Sequence, residues 1–256
     1  MTASRLAGAV SKAPVPIIEF DEIDSTNAEA RRRAEAGEGG PVWITALRQN
    51  AGHGRRGRAW ETGAGNLAAT LLMLTDRPAA EAAQISFVAA LAVADLAEDY
   101  LSADLVRLKW PNDLMIGGRK GCGILVESGR RDDGPLWLAT GIGVNLATPP
   151  AAPERPATAF AEHMRTPPPA PREALAVLAA AFARWLEIWD RQGFAPLAQA
   201  WTGRAQGLGG RCTARLGAET VEGVAEGMDL DGGLRLRLAD GAIRRITAGD
   251  VFFEGL

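Results

Sequence analysis

The sequence predicts an α/β protein followed by a small all-β unit. Up to about residue 206, short apolar runs of strand character alternate with longer segments of helical periodicity. From about residue 207 the pattern changes to short strands separated by glycine turns. We therefore expect one domain over residues 1–206, with 1–14 as a flexible tail, and a small β-barrel over 207–256.

The composition is that of a soluble globular protein, with 47% hydrophobic and 23% charged residues. The net charge of −3 argues against a general nucleic-acid binder, which needs a broad basic face. No run approaches the roughly 18 apolar residues of a membrane span. Two distant cysteines fit a reducing compartment, and two histidines exclude a histidine-rich metal site. We expect a cytoplasmic protein.

The first elements are strands on either side of a helix and a glycine-rich loop. Thr26 and Glu29 have capping-box spacing, which predicts a helix that ends near Ala36 before Gly37. Capping alone would explain Ser25 and Thr26. Apolar runs predict strands at 15–23, 42–47 and 66–74.

The next elements are a long helix, a hairpin and a strand. Residues 80–101 have helical periodicity without a breaker, and Pro111-Asn112-Asp113 is a turn by composition. Strands are predicted at 106–110, 114–116, 121–127 and 136–146, an irregular segment at 149–171, helices at 172–189 and 195–204, and final strands at 211–216, 220–226, 234–238, 242–246 and 251–253.

The Gly/Arg loop, residues 49–60, carries the strongest local signal. Glycines let backbone amides turn toward a ligand, successive free N–H groups can form a nest for an anion, and arginine adds bidentate donors. The pattern favours a loop that closes over a phosphate-bearing ligand. A solvated basic turn or a small nucleic-acid patch is the alternative.

Lysine usage gives a second signal. Lysine occurs only at positions 12, 109 and 120, and the other basic residues are arginines. Two lysines in one short segment of an arginine-rich chain indicate a functional role for a compact ammonium charge in that segment.

Glycines in one predicted strand give a third signal. Gly141 and Gly143 alternate, so they leave one face of their strand without side chains, where a ligand can approach closely. A bulge or a crowded contact between helix and sheet would explain them equally well.

Together these motifs resemble biotin protein ligases, over residues 18–256. The motifs stand in the family's order: Ser25-Thr26-Asn27, the Gly/Arg loop from Gln49 to Trp60, Lys109-Trp110-Pro111-Asn112-Asp113, Lys120 with Gly123-Ile124-Leu125, and Gly141, Gly143, Val144 and Asn145. The resemblance implies a mixed β-sheet catalytic domain flanked by helices and a C-terminal SH3-like barrel. Too few residues precede Asp21 for the winged helix that makes some members repressors, so no DNA binding is expected.

The resemblance implies acyl transfer in two steps. Biotin and Mg-ATP give biotinyl-5′-AMP and pyrophosphate, and the adenylate then acylates a lysine of a biotin carboxyl carrier protein. The family also implies the option of a homodimer through the edge of the catalytic sheet. No membrane partner is expected.

The resemblance assigns roles residue by residue. Lys120, Arg55 and Asp113 would be catalytic, and Asp113 is also the candidate for Mg²⁺. Biotin would contact Ser25, Thr26, Asn27, Gln49, Gly52, Lys120, Gly123, Gly141 and Gly143. ATP and the adenylate would contact His53, Gly54, Arg55, Arg56, Gly57, Arg58, Trp60 (on the adenine side), Asn112, Lys120 and Asn145.

Two residues need separate comment. The family usually has arginine where His53 stands, and a largely neutral imidazole removes a permanent charge from the loop. Cys122 beside Lys120 is reminiscent of related octanoyl transferases that carry the acyl group as a thioester, but a small buried strand residue explains it better.

Two other functions are compatible with these motifs. Lipoate protein ligase shares the core and the adenylate chemistry, although the loop and the Lys109–Asp113 motif favour biotin. A non-catalytic biotin-binding or regulatory module is the second alternative.

Overall fold

A seven-stranded mixed sheet organises the larger part of the chain. The structure, a computed structural model, describes residues 14–254 except 133, 152 and 154, so the predicted tail lies almost wholly outside the described residues. Strand β1 runs parallel to β2, the other neighbours are antiparallel, and the order is β1-β2-β3-β7-β6-β5-β4. The strands are β1 (Ile17–Ile23), β2 (Val42–Gln49), β3 (Leu67–Thr75), β4 (Val106–Lys109), β5 (Asp113–Ile116), β6 (Arg119–Arg130) and β7 (Leu136–Val144).

Helices cover both faces of this sheet. Helix α1 packs on one face against a small cluster that includes Ile44 and Ala139, while α3 and α4 pack on the other, where most of the apolar core lies. The helices are α1 (Thr26–Glu35), α2 (Ala79–Ala82), α3 (Ile85–Glu98), α4 (Pro171–Gln192) and α5 (Ala195–Gly203).

Two helix predictions need correction. The helix expected over 80–101 is two helices, α2 and α3, because Gln84 donates its backbone N–H to Glu81 three residues earlier, which tightens the chain between them. The side chain of Gln84 accepts a hydrogen bond from the Trp189 indole (3.0 Å), which fixes that break against α4. The N-cap of α1 is Ser25, whose hydroxyl accepts from Ala28, rather than Thr26.

A separate antiparallel sheet forms the C-terminal part. Its strand order is β11-β10-β9-β8-β12, and all of its pairings are antiparallel. The glycine-punctuated pattern therefore predicted the strands correctly. They are β8 (Arg211–Leu216), β9 (Glu219–Met228), β10 (Leu234–Arg237), β11 (Ile243–Ile246) and β12 (Asp250–Phe253).

A buried hydrogen bond joins the two sheets. The Trp110 indole N–H donates to the carbonyl of Gly232 (2.9 Å), in the turn before β10. Gly232 has a φ of 93°, and a Cβ there would collide with the ring of Phe87 on α3. The position therefore needs glycine for two reasons, its backbone conformation and its close contact with α3.

The segment from Ala79 to Glu98 is long and apolar enough to cross a membrane by length and composition alone. About two thirds of it (67%) is buried inside the protein, where α3 packs against α4, α5 and the sheet. This is how the core helix of a globular domain behaves.

Candidate functional site

A cavity of about 310 Å³ lies where the Gly/Arg loop faces the strands β6 and β7. The turn between β4 and β5 forms one side, and Asp250 and Val251 of the C-terminal sheet close another. The cavity has the size expected of a site for a small molecule. It therefore lies at the junction of the two sheets.

The Gly/Arg loop is folded as a narrow hairpin. Trp60 donates its backbone N–H to Gly52 (2.9 Å), and Gly54 donates to Arg58 (2.7 Å). A short 3₁₀ turn, Arg55–Gly57, forms the tip, where Gly57 has a φ of 71° that favours glycine. As predicted, the loop joins two strands of the sheet, β2 and β3.

The C-terminal sheet holds the arginines of this loop. Arg56 Nη1 lies 3.0 Å from an Asp250 carboxylate oxygen, and Arg58 pairs with the same carboxylate. Burial alone would raise the Asp250 pKa, but hydrogen bonding and charge from Arg58, with further charge from Arg56, bring it below its usual value. Asp250 is therefore an anion whose charge the loop already neutralises.

Arg55 is held by neutral partners. Its guanidinium donates to Asn112 Oδ1 (3.2 Å) and to the carbonyl of Gly249 (2.9 Å), and it lines the cavity. Burial lowers the Arg55 pKa, and the charges of Asp250 and Asp113 act in the opposite direction. A guanidinium that has lost water without gaining a carboxylate is prepared to bind an anion.

One end of the cavity is a network of polar groups, which we call the polar end: Thr26, Asn27, Gln49, Thr70 and Glu127. Gln49 Oε1 accepts from the backbone N–H (2.8 Å) and the hydroxyl (3.1 Å) of Thr26. Asn27 accepts from the Thr70 hydroxyl (2.7 Å) and donates to Glu127 (2.7 Å). These bonds fix the side chains in place before any ligand is bound.

The glycine-lined strand face is covered by two side chains. A Cβ on Gly141 would collide with the Asn27 amide, and a Cβ on Gly143 would collide with the Trp60 indole. Trp60 also lies over Gly123, where a Cβ would be 3.0 Å from its ring. The structure differs here from the expected bare floor, because Asn27 and Trp60 use the space that these glycines leave.

The opposite end of the cavity carries positive charge, and we call it the cationic end: Lys109, Lys120 and Arg155. Lys120 Nζ lies 2.6 Å from a carboxylate oxygen of Asp113. The proline-rich segment runs beside Lys120, whose backbone N–H donates to Pro156 (3.0 Å). All three cations line the cavity.

Two asparagines brace this region. Asn112 donates to the carbonyl of Ile124 (2.6 Å) while it accepts from Arg55, so both ends of its amide are used. Asn145 is buried and donates to the carbonyl of Thr158 (3.0 Å). Both side chains also line the cavity, where their positions are fixed by these bonds.

His53 and Cys122 occupy different environments. His53 lines the cavity, and its Nε2 lies 3.8 Å from a Glu127 oxygen. Cys122 is fully buried on β6, and burial raises the pKa of its thiol well above the usual range. A thiol held protonated is a poor nucleophile, so the interpretation of Cys122 as a small buried strand residue is confirmed.

The cavity gathers most of the side chains that the sequence nominated. The residues among them that line it are Ser25, Thr26, Asn27, Gln49, His53, Gly54, Arg55, Arg58, Trp60, Asn112, Asp113, Lys120, Gly123, Gly141, Gly143 and Asn145. Gly52, Arg56 and Gly57 do not line it, because Gly52 packs against Trp60 and Arg56 points to Asp250.

The sequence did not nominate four charged residues that line the cavity. They are Glu61, Lys109, Arg155 and Asp250. The scarcity of lysine had pointed to Lys109, but no local pattern marks Arg155 or Asp250, which lie far along the chain from the loop.

A mixed-sheet domain with a polar and cationic cavity, followed by a small antiparallel sheet, is the architecture of the biotin protein ligase class. The Biotin/lipoate A/B protein ligase family model matches residues 18–145, and the Biotin protein ligase C terminal domain model matches 202–254. The chain belongs to the biotin protein ligase family.

Two curated relatives and one solved structure give the scale of the similarity. The chain is 44% identical to a biotin–[acetyl-CoA-carboxylase] ligase of Paracoccus denitrificans, over 91% of this chain and 98% of that protein. It is 28% identical to the bifunctional ligase/repressor BirA of Escherichia coli, over 98% of this chain and 77% of that protein. The biotin protein ligase of Aquifex aeolicus, solved with biotin and ATP, superposes with a TM-score of 0.77 at 25% identity, over 93% and 98% of the two chains.

Proposed function

We propose that this protein attaches biotin to a lysine of a biotin carboxyl carrier protein through biotinyl-5′-AMP, at the expense of ATP. The observation that carries the proposal is a cavity that combines a hydrogen-bonded polar end with a cationic end. Biotin has an uncharged ureido group and a carboxylate, and ATP brings a triphosphate, so the two ends match the two substrates. The Paracoccus relative is named for this activity.

The first step is the activation of the biotin carboxylate. A carboxylate oxygen attacks the α-phosphorus of ATP, and the bond from that phosphorus to the bridging oxygen breaks, so pyrophosphate leaves. Two anions must approach each other, and Lys120 and Arg55 reduce their repulsion. The polar end, with Ser25 at its margin, holds the ureido group so that the carboxylate points toward Lys120.

The second step transfers the acyl group. The amine of the carrier lysine attacks the acyl carbon, and AMP leaves with the electron pair of the broken bond. The Gly/Arg loop keeps the adenylate away from water until the carrier arrives, with Trp60 as its apolar cover. In this proposal Asn145 contacts the polar edge of adenine, and Asp113, which pairs with Lys120, accepts the proton of the incoming amine.

Magnesium fits this cavity only as an ion that arrives with ATP. Within the described residues, no group of three His, Cys, Asp or Glu side chains is placed to hold a metal. Mg²⁺ commonly takes one or two carboxylates and the substrate phosphates, and Asp113 is the carboxylate available here. When bound, the ion would neutralise phosphate charge.

Two further features follow from the proposal. We expect the protein to act in the cytoplasm, where ATP and the carrier are found. A homodimer across the sheet edge is consistent with β1, which pairs on one side only among the described strands. Sedimentation at several concentrations tests this second point.

One assay tests the function. Purified protein is incubated with Mg-ATP, an apo-carrier domain and labelled biotin or lipoate, and the label on the carrier lysine is followed. A carrier with that lysine replaced by arginine is the control. Biotin labelling of the native carrier alone is expected. A folded protein that leaves the carrier unlabelled refutes the proposal, and lipoate labelling reassigns it.

A further inference from the structure

The lining of the cavity holds more positive charge than its carboxylates neutralise. Five arginine and lysine side chains line the cavity, against three carboxylates. The five are Arg55, Arg58, Lys109, Lys120 and Arg155, and the three are Glu61, Asp113 and Asp250. The lining therefore has an excess of two positive charges when His53 is neutral.

Three of the five cations have no carboxylate partner among the described residues: Arg55, Lys109 and Arg155. Arg55 donates hydrogen bonds to Asn112 and Gly249 instead, so Lys109 and Arg155 carry the charge that is left without a fixed partner. Asp113 is paired with Lys120, and Asp250 is paired with Arg56 and Arg58. In the part of the chain that the structure describes, neither Lys109 nor Arg155 forms a salt bridge.

Lys109 has already lost part of its hydration. Burial lowers its pKa, the charges of Arg155 and Lys120 lower it further, and Asp113 and Asp250 offset only part of this effect. A partly buried ammonium without a carboxylate partner is unfavourable, and an anion in the cavity would offset that cost. The effect of Arg155 and Lys120 on the Lys109 pKa also indicates that both cations lie close enough to Lys109 to interact with it electrostatically.

Arg155 is held in position by an aromatic ring. Its guanidinium carbon lies 4.5 Å from the centre of the Phe252 ring on β12, and the guanidinium of Arg215 lies 4.6 Å from the same ring. Stacking fixes the plane of a guanidinium while its N–H groups remain available at the edge. Arg155 lines the cavity, and Arg215 does not.

We propose that Lys109 and Arg155 bind the β- and γ-phosphates of ATP and stabilise the pyrophosphate that leaves. The proposal rests on the proposed function, because it divides the cationic end between two tasks. Lys120 and Arg55 serve the reacting carboxylate and the α-phosphate, while Lys109 and Arg155 serve the leaving group. When the bond to the α-phosphorus breaks, its electron pair goes to the pyrophosphate oxygen, and the two cations offset this added charge.

Removal of each charge tests the proposal. Lys109→Met and Arg155→Gln preserve length and remove the charge. Each should raise the KM for ATP and the inhibition constant of added pyrophosphate about tenfold, the value of one charge-assisted hydrogen bond. The KM for biotin, and acyl transfer from preformed biotinyl-5′-AMP to the carrier, should stay within about twofold.

Arg215→Gln is the matched control, because it removes the other cation from Phe252 without touching the cavity. It should leave the KM for ATP and pyrophosphate inhibition unchanged. If it raises both as much as Arg155→Gln does, Arg155 acts through packing and the proposal is wrong. An unchanged KM for ATP in Lys109→Met and Arg155→Gln also overturns it.

The two proposals fail in different ways. A native protein that labels no carrier refutes the ligase function. The phosphate subsite is tested independently by calorimetric titration of ATP or pyrophosphate into the native protein, Lys109→Met and Arg155→Gln. Equal affinities in the three proteins overturn the subsite, whatever the activity.

Discussion

The two ends of the cavity solve opposite problems. In the polar end, Thr26, Asn27, Gln49, Thr70 and Glu127 satisfy one another through short hydrogen bonds before a ligand arrives. In the cationic end, the charges exceed their partners. Under the proposed function, the uncharged ureido group would be recognised by fixed geometry, and the phosphates by charge that has no partner yet. The shape of the polar end would select the ureido group, and the charge of the cationic end would select the phosphates.

The largest effect should come from removing the central charge of the cationic end. Lys120→Ala should lower the kcat for adenylation about 10²–10³-fold, the cost of losing one electrostatic donor in a catalytic site. Exchange of labelled pyrophosphate into ATP measures it. Because Asp113 loses its ion-pair partner, the thermal stability should fall somewhat, but far less than the rate does, and Lys120→Arg should recover part of the rate. A fall in stability that parallels the fall in rate would count against a catalytic role.

The next effect should come from crowding the polar end. Gly141→Ala places a Cβ against the Asn27 amide, which cannot give way because Thr70 and Glu127 hold it. The KM for biotin should rise about tenfold to a hundredfold, within the usual cost of overpacking, while the KM for ATP changes much less. Steady-state kinetics with each substrate varied measures both.

Gly203→Ala is its control, because a Cβ there meets nothing within 4 Å. The control should behave as the native protein does. If both substrates lose affinity equally in Gly141→Ala, the polar end is not selective for biotin.

A smaller effect should follow from weakening the network without crowding it. Thr70→Val keeps the shape of a fully buried side chain and removes the hydroxyl that donates to Asn27. The loss of one buried hydrogen bond is worth about 1–3 kcal/mol, so the KM for biotin should rise about tenfold. Thr70 does not line the cavity, so it acts as a positioning residue.

Thr70→Ser separates the two contributions of Thr70. It retains the hydroxyl and should recover most of the affinity for biotin. If Thr70→Ser is as impaired as Thr70→Val, the methyl group and not the hydrogen bond sets the position of Asn27.

The smallest effect should come from adding charge beside the polar end. His53→Arg lets a permanent cation reach Glu127, whose oxygen lies 3.8 Å from the imidazole. The pair is partly exposed, so we expect biotinyl-5′-AMP to dissociate only about twofold to fivefold more slowly. Release of the labelled adenylate after dilution measures the rate. An unchanged rate would mean that only the backbone of residue 53 matters.

Much of this architecture follows from local sequence. Apolar periodicity located the strands of both sheets and the helices α4 and α5, since each buries one face. The position of the Gly/Arg loop between two strands also followed from the sequence, but its hairpin fold did not. The break between α2 and α3 did not, because it depends on the hydrogen bond between Gln84 and Trp189, whose partners are distant in sequence.

The sequence motifs predicted many of the site residues, but they did not predict the contacts that these residues make. Local patterns nominated Lys120 and Gly141, but Asp250 is an ordinary residue near the end of the chain until Arg56 and Arg58 meet it. Trp60 shows the same limit, because its sequence position does not reveal that its ring lies over Gly123 and Gly143. Both features depend on contacts between segments that are distant in the sequence.

The hydrogen bond from Trp110 to Gly232 has a consequence for how the protein can be shortened. A truncated chain that ends before residue 207 would leave the Trp110 indole N–H without its acceptor and would uncover the ring of Phe87. Such a fragment would expose an apolar surface that the full chain buries. Its first defect would be aggregation during expression, before any question of catalysis arose.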